Sequence, residues 1–448
     1  MPASVDLRAS AGRTLRTGTA ELAGRRVVHA QFDLSTRQGA LSPADGVKLA
    51  SAIDVALDQR LPFVATVASS GADLHGGVES LHAWGQSARA MARASGIIPL
   101  LVALDGPAVS GPALLLGLAD HVVMTPEAYA FVSGPRMVRQ FTGMPVTATV
   151  LGGAGAHERA SGVAAGVAAD LDEAMVALGE LLGYLPDHCD ALPARLATDD
   201  PAVRPTPEAG ALLPTSPTGS YDVRDVIRCI ADDAAFTELR AGWAPNLVTG
   251  FATIEGRPIG IVANQPCQIA GTLDIPSSQK GARFVAFCDA FNLGLLTLVD
   301  TPGFYPGKDL EWRGMIRHGA QLAFAYARAT VPRVNLTMRK SYGGAYIVMD
   351  SRTMGNDVAL AWPSAEIAVM GAKGAVEILH RGISPQERTA LEAEYDERLL
   401  NPWVAAARGL IDAVIDPADT RRAVAEAFAT LDSKAELLGT RAHDNMPL

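Results

Sequence analysis

The chain has 448 residues, of which 48% are hydrophobic and 19% charged, and its formal net charge is −10 at pH 7. This length and apolar content are sufficient for two domain-sized hydrophobic cores without disulfides or metal ions. The negative charge, together with the lack of any basic cluster with interleaved aromatic residues, argues against a nucleic-acid groove.

The sequence predicts a cytoplasmic protein without a membrane segment. The stretch from Met1 to Gly24 contains arginines but no apolar core, so we expect no secretory signal. The longest apolar run, residues 97–118, is interrupted by Asp105, Pro107 and Pro112 and is too broken to span a bilayer. The four cysteines form no Cys-x-x-Cys pair, which excludes a zinc ribbon and favours a reducing compartment.

In chain order, the predicted elements run through the same series twice. Each series consists of a strand pair around a glycine turn, a helix, a buried strand ending in a glycine-containing loop, a second helix and another apolar strand. The two series comprise turns at 22–25 and 254–257, helices at 43–60 and 278–292, strands at 63–67 and 295–299, loops at 69–71 and 300–303, and helices at 78–95 and 310–329. This order predicts βαβ units with parallel strands buried on both faces. Residues 385–439 are predicted as helices, with breaks at Asn401-Pro402 and Asp416-Pro417.

The repetition extends to single residues. Gly24 matches Gly256, and Gly71 matches Gly303 at the same shift along the chain. The repeating unit is therefore a whole domain. We predict an N-terminal domain over residues 1–190 and a C-terminal domain over 221–448, joined by a proline-rich linker over 191–220.

Two corresponding segments are candidates for chemistry. Residues 104–113 and 338–346 each follow a strand, contain small residues and open a predicted helix. The first amide N–H groups of a helix have no intrahelical partner, and glycine lets a ligand approach the backbone closely. Such amides could bind an oxyanion. The alternative for either segment alone is that its glycines only permit a tight turn.

Several segments resemble the carboxyltransferase (beta) subunit of biotin-dependent acyl-CoA carboxylases, whose fold is a tandem duplication of crotonase-like α/β domains. The second half carries the most specific matches, and the first half matches over residues 106–186. The motifs are DTPGFYPG (300–307), IRHG (316–319), RKSYGGAYIVM (339–349) and AWPSAEIAVMGA (361–372). The resemblance implies two crotonase-like domains, each with a twisted, largely parallel sheet and flanking helices.

The resemblance also implies an activity, the transfer of CO2 from carboxybiotin to the α-carbon of an acyl thioester through an enolate. Gly344 and Ala345 would bind the biotin ureido oxygen, and Ser110 and Gly111 the thioester carbonyl, although the reverse assignment remains open. Biotin itself would serve as the base for the α-proton, because the family supplies no side-chain base.

Further residues correspond to the family's binding regions. The acyl or thioester side would include Ile347, Tyr346, Ser70 and Gly71, and the biotin side Pro302, Gly303, Phe304 and Tyr305. An apolar residue at 347 would shape the acyl pocket, and the alternative for Ile347 is a buried core position. No metal site is expected.

Three departures from the family keep other functions open. Pro112 occupies the place of Ala345 in the internal repeat and has no N–H to donate. Asp73 stands where the family has arginine, and the basic arm that usually precedes the first hairpin is short. The alternatives are a biotin-independent malonyl or methylmalonyl thioester decarboxylase and a non-catalytic scaffold.

The resemblance implies partners as well. The sequence contains no ATP-grasp signature and no Met-Lys-Met biotinylation site. A biotin carboxylase and a biotin carboxyl carrier protein would therefore come from other chains, with biotin supplied in trans. The thioester would be acyl-CoA or an acyl carrier protein, and the assembly a homo-oligomer, by family a hexamer.

Overall fold

A computed structural model describes residues 5–6, 14–216, 218–434, 436, 445 and 447. The chain divides into two compact units, residues 1–193 with 240–243, and residues 194–239 with 244–448. Each unit contains one eight-stranded sheet. Within the described residues, no helix is both long and apolar enough to cross a membrane.

The first unit contains eight strands and seven helices among its described residues. The strands are β1 (Val5–Asp6), β2 (Leu15–Leu22), β3 (Arg25–Phe32), β4 (Phe63–Ser69), β5 (Leu100–Val109), β6 (His121–Met124), β7 (Tyr129–Phe131) and β8 (Gly166–Val167). The helices are α1 (Pro43–Gln59), α2 (Val78–Ala94), α3 (Gly111–Leu116), α4 (Pro135–Thr142), α5 (Ala148–Gly152), α6 (Ala154–Ala156) and α7 (Leu171–Tyr184).

The second unit has the same number of strands and further helices at both ends. The strands are β9 (Thr237–Leu239), β10 (Leu247–Ile254), β11 (Arg257–Asn264), β12 (Gly294–Thr301), β13 (Arg333–Tyr342), β14 (Val358–Ala361), β15 (Glu366–Ala368) and β16 (Ala413–Val414). The helices are α8 (Pro207–Ala211), α9 (Val223–Ile230), α10 (Ile275–Ala290), α11 (Lys308–Trp312), α12 (Met315–Arg328), α13 (Gly343–Val348), α14 (Ala372–Leu379), α15 (Pro385–Tyr395), α16 (Pro402–Ala407) and α17 (Thr420–Thr430).

The two sheets have the same topology. The first runs β1-β2-β3-β4-β5-β6-β8 with β7 on β5, and the second, β9-β10-β11-β12-β13-β14-β16 with β15 on β13. Antiparallel pairs at one edge pass into parallel pairs from β3 and β11 onward. The predicted duplication and mixed α/β architecture are therefore confirmed in the described residues.

Corresponding local signals build corresponding elements. Helix α1 begins after Ser42, and helix α10 begins after Asp274, the equivalent position in the repeat; each residue forms a reciprocal capping box with the third residue of its helix. Both hairpins turn through two residues with positive φ, which gives the twist that tight hairpins need. In each unit, apolar strand residues and helix faces form a continuous core.

The region predicted as a linker is packed into the second unit from residue 194 onward. The Leu196 amide donates to Gly256 O at 2.7 Å, and the Thr206 amide donates to Ala418 O at 2.8 Å. The Arg421 guanidinium is fully buried and donates to the carbonyls of Pro201 and Asp200 at 2.9 and 3.0 Å. The prolines of this segment therefore shape a path held by hydrogen bonds to the second unit.

The predicted helix over 310–329 is two helices. Gly314 adopts φ of 95° between α11 and α12, a conformation that ordinary residues avoid, and it starts α12. In the tail, Asn401 caps α16 and Asp416 caps a short 3-10 turn, as the two predicted breaks require. The last residues of the predicted tail, 435 and 437–439, lie outside the described residues.

Candidate functional site

In both units, a loop leaves the end of the central strand in the same way. We call residues 69–73 the β4 loop and residues 301–305 the β12 loop. In the first, the Leu41 amide donates to Gly71 O at 2.8 Å and Leu41 O accepts the Asp73 amide at 3.0 Å. In the second, the Leu273 amide donates to Gly303 O at 3.1 Å, and Leu273 O accepts the Tyr305 amide at 2.8 Å. Each loop is therefore held by a neighbouring segment of its own unit through the same pair of backbone hydrogen bonds.

Most amides of these loops are used internally. The Ser70 amide donates to Gln38 O at 3.1 Å, and the Gly71 amide lies 3.3 Å from Ser69 Oγ. The Gly303 amide lies 3.4 Å from Thr301 Oγ1. Predicted roles for Ser70, Gly71 and Gly303 therefore cannot rest on a free amide.

One amide in each loop remains available. Among the described residues, the N–H groups of Ala72 and Phe304 have no hydrogen-bond partner. Neither amide is predicted from the sequence, which places Phe304 on the biotin side and leaves Ala72 out. The signal was present, because both residues follow a glycine that recurs at the same shift, Gly71 and Gly303.

The second unit places more donors at the start of α13. Gly344 and Ala345 are the second and third residues of this helix, where amides have no intrahelical partner, and the N-cap Tyr342 side chain makes no capping bond. Gly343 adopts φ of 61°, a conformation that favours glycine at this turn. Gly344 is exposed, whereas Ala345 is fully buried. Gly344 is therefore the more accessible of the two predicted donors.

The corresponding turn of the first unit is poorer in donors. The Ser110 amide donates to Phe131 O at 2.9 Å, so it is not free to bind a ligand. The predicted role of this amide is therefore wrong. Pro112 has no N–H, and the Ala113 amide donates to Ser110 O at 3.1 Å. Among the predicted donors at the start of α3, this leaves the Gly111 amide.

An aromatic ring lies beside the glycine of each turn, but the two rings come from different elements. A Cβ atom on Gly344 would lie 3.6 Å from the ring of Phe304, in the β12 loop. A Cβ atom on Gly111 would lie 2.5 Å from the ring of Trp84, in α2. A side chain at Gly111 would therefore have to displace the Trp84 ring, whereas the second turn has room for a methyl group.

The predicted acyl-side residues differ in exposure. Ile347 is 36% exposed, which does not support the alternative of a buried core position. Tyr346 packs against the small apolar cluster of β14, β15 and α16, and its buried hydroxyl has no partner among the described residues. Burial raises the pKa of Tyr346, so it stays protonated at neutral pH. Pro302 is half-buried and Tyr305 is exposed.

Asp73 is bound within its own loop. Its carboxylate accepts the His75 amide at 3.0 Å and pairs with the Arg37 guanidinium. The backbone bond from His75 is the main cause that lowers the pKa of Asp73, and Arg37 adds to it. The residue is 5% exposed, so Asp73 presents little negative charge to a ligand.

His157 has a structural setting. Its Nε2 lies 2.8 Å from Ala130 O and its Nδ1 lies 2.7 Å from Ser161 Oγ, so both ring nitrogens are engaged. In the part of the chain that the structure describes, no group of three or more His, Cys, Asp or Glu side chains could hold a metal ion.

Comparison with known proteins identifies the family. Residues 4–446 match the carboxyl transferase domain. The chain belongs to this family. It is 42% identical to the propionyl-CoA carboxylase beta chain of Roseobacter denitrificans over 442 residues, which cover 98% of this chain and 86% of the relative. It is 41% identical to the methylmalonyl-CoA carboxyltransferase 12S subunit of Propionibacterium freudenreichii subsp. shermanii, over 96% of this chain and 83% of that one.

Solved structures agree with the fold described above. The transcarboxylase 12S hexamer with hydrolysed methylmalonyl-coenzyme A bound matches with a TM-score of 0.95 and 40% identity, over 97% of this chain and 85% of that chain. A single-chain, multi-domain long-chain acyl-CoA carboxylase matches with a TM-score of 0.80 and 28% identity, over 92% and 41%. The predicted family, fold class and enzyme class are thereby confirmed: the chain is a carboxyltransferase.

Proposed function

We propose that this carboxyltransferase moves a carboxyl group from carboxybiotin, held on a separate carrier protein, to the α-carbon of a short acyl-CoA. Propionyl-CoA and methylmalonyl-CoA are the first pair to test, because the relatives described above are named for them. The observation that carries the proposal is the recurrence of a partner-free loop amide and a donor turn in both units.

The chain's own contribution is to bind and stabilise developing negative oxygen. The amides of Phe304, Gly344 and Ala345 are donors in the second unit, and those of Ala72 and Gly111 in the first. One preorganised donor aimed at a developing oxyanion typically contributes about 2.7–4 kcal/mol to the transition state. We assign the second set to the biotin ureido oxygen and the first to the thioester oxygen.

The residues of the second unit fit biotin. The Phe304 ring provides an apolar wall beside Gly344 and Gly319, and a low local dielectric strengthens hydrogen bonds to an oxyanion. When bound, biotin supplies the carboxyl group and afterwards a base for the α-proton of the acyl group. Ile347, partly exposed on α13, would limit the acyl chain.

A second candidate function rests on the first unit. With the Ser110 amide occupied and Pro112 lacking an N–H, α3 offers a single predicted donor. Together with the Ala72 amide, this donor would stabilise the enolate of an enzyme that decarboxylates a malonyl or methylmalonyl thioester without biotin, because that reaction needs only one set of donors. We place this function second because the second unit supplies a further set of donor amides, those of Phe304, Gly344 and Ala345, which a biotin-independent decarboxylase would not need.

The proposal includes an assembly. A biotin carboxylase and a biotin carboxyl carrier protein would act as separate partners in the cytoplasm. A homo-hexamer is proposed because the matched transcarboxylase 12S is described as a hexamer. An acyl carrier protein could replace CoA as the thioester handle.

The test measures decarboxylation of methylmalonyl-CoA and malonyl-CoA by the purified chain, with and without free biotin. Stimulation by biotin supports the proposed function. Turnover that is independent of biotin would favour the second candidate. An intact oligomer without turnover would indicate a scaffold and refute both.

A further inference from the structure

The two central strands contain the same irregularity. In the second unit, Val299 pairs with Thr337, but Thr301 pairs with Ser341. Strand β13 thus contains two more residues than β12 over this stretch, and we call residues 338–340 the β13 bulge. The first unit has the same shift between β4 and β5, and we call residues 105–107 the β5 bulge.

A buried ion pair occupies the bulge of the second unit. Asp300 Oδ2 accepts a hydrogen bond from Arg339 Nε at 2.9 Å, and Oδ1 accepts the Lys340 amide at 3.2 Å. The side chains of Asp300 and Arg339 are 1% and 9% exposed. Arg339 also donates from Nη1 to Gly219 O at 2.8 Å and lies over the Tyr221 ring. The pair therefore ties the ends of β12 and β13 together.

The first unit forms the same bulge without this ion pair, and its one acidic residue, Asp105, accepts a hydrogen bond from Thr125 Oγ1 at 2.9 Å. The repeat places Ala68 at the position of Asp300, Gly106 at that of Arg339 and Pro107 at that of Lys340. Proline has no amide that needs an acceptor, so no carboxylate is required there. The fold of the bulge consequently does not depend on an ion pair.

Burying a charged pair is costly and often gives no net gain over an apolar replacement. Burial is the main cause that raises the pKa of Asp300, opposed mainly by Arg339. A pair that the fold can omit, and that is expensive to bury, calls for another role. Its position indicates one, because Asp300 directly precedes the β12 loop and Arg339 lies shortly before Gly344 in the chain.

We propose that Asp300 and Arg339 are positioning residues that set the separation between the Phe304 amide and the α13 amides. The inference rests on the proposed function, since it concerns the same donors. Asp300 is also joined to a further loop, because its own amide donates to Asn264 Oδ1 at 3.3 Å and Asn264 Nδ2 donates to Gly271 O at 3.2 Å. The segment that holds the β12 loop is thereby connected to the same pair.

The experiment compares Asp300→Asn, Arg339→Met and Arg339→Lys in biotin-dependent decarboxylation of methylmalonyl-CoA, per folded enzyme. Displacing a positioned group by about 1 Å can cost about 100-fold in rate. We expect kcat to fall about 10- to 100-fold in Asp300→Asn and Arg339→Met. The KM values for biotin and for methylmalonyl-CoA should each change less than about threefold. Arg339→Lys, which keeps a cation for Asp300, should recover part of kcat.

Asp232→Asn is the matched control. This carboxylate is also buried in the second unit and pairs with Arg421 at 2.6 Å, but it supports the β10–β11 hairpin through the Glu255 and Gly256 amides. It should lower stability and leave kcat per folded enzyme unchanged.

The outcomes separate the inference from the function on which it rests. Unchanged kcat in folded Asp300→Asn and Arg339→Met, with an active wild type, overturns the inference alone. Failure of both variants to fold, where Asp232→Asn folds, shows a structural role and also overturns it. An inactive wild type overturns the proposed function and the inference together.

Discussion

Gly344 offers the sharpest test of amide catalysis, because two substitutions at this position differ in one hydrogen-bond donor. Gly344→Ala keeps the N–H, and its Cβ would lie 3.6 and 3.9 Å from the Phe304 ring, which is ordinary van der Waals contact. Gly344→Pro removes the N–H. Proline is tolerated in the first turn of a helix, and the preceding Gly343 is the residue least restricted by a following proline.

The expected difference follows from the number of donors lost. Removing one oxyanion-hole donor costs about 100- to 1000-fold in kcat, or about 2.7–4 kcal/mol. Gly344→Pro should therefore lose this factor relative to Gly344→Ala, whereas the alanine variant should stay within about fivefold of wild type. The amides of Phe304 and Ala345 would account for residual turnover.

The assay is biotin-stimulated decarboxylation of methylmalonyl-CoA, with circular dichroism and light scattering to establish that each variant is folded and assembled. Equal rates for the two variants, both folded, would refute the assignment of the Gly344 amide as a donor. If these equal rates are both far below that of the wild type, steric contact with Phe304 and not the lost N–H causes the loss.

Three further predictions follow from the contacts described above. Gly111→Ala should lower the free energy of unfolding by about 1–3 kcal/mol, because its Cβ would lie 2.5 Å from the Trp84 ring; equal urea midpoints would contradict this. Ile347→Ala should shift selectivity toward longer acyl chains by about 1–3 kcal/mol per methylene, measured as the ratio of kcat/KM values for propionyl-CoA and butyryl-CoA; an unchanged ratio would remove Ile347 from the acyl pocket. Asp350 is buried beside Arg333 and has a pKa raised to about 6 by burial, so this group stabilises the fold most in acid and loses that contribution as pH rises through about 6. The stability of wild type relative to Asp350→Asn should therefore fall by about 3 kcal/mol between about pH 3 and pH 8 in urea unfolding, and a constant difference would show that Asp350 does not titrate there.

The sequence predicts the duplicated architecture well, because the repeat and the periodicity are local and redundant. The sequence predicts helix α1 over 43–60, and the structure has it at Pro43–Gln59. The sequence predicts that helix α10 begins at Ser278. It begins at Ile275, because Asp274 and Ser277 form a capping box around Ile275 and Pro276.

What the sequence could not predict depends on contacts between distant residues. The Ser110 amide is occupied by Phe131 O, an acceptor that the pairing of β7 with β5 brings to this turn. The packing of the segment around Asp200 and Pro201 depends on hydrogen bonds from the buried Arg421, which lies about 220 residues later in the chain. Composition does not show which residues a proline-rich segment packs against, so the sequence predicts a linker here.

The candidate site was predicted in part. Gly111, Gly344 and Ala345 were identified from the sequence, and their assigned roles remain predictions. The Ala72 amide was missed because a loop amide becomes a candidate only when its neighbours are seen to be bonded and it is not.

Gly39 and Gly271 show what duplication offers to experiment. They occupy equivalent places beneath the two loops, with φ of 69° and 72°, and a Cβ would lie 2.0 Å from Ala68 O in one and 2.5 Å from Asp300 O in the other. Two copies that share one backbone and differ in side chains form a built-in pair of homologues inside a single polypeptide. Exchanging residues between the copies can therefore separate scaffold requirements from chemical specialisation without reference to any other protein.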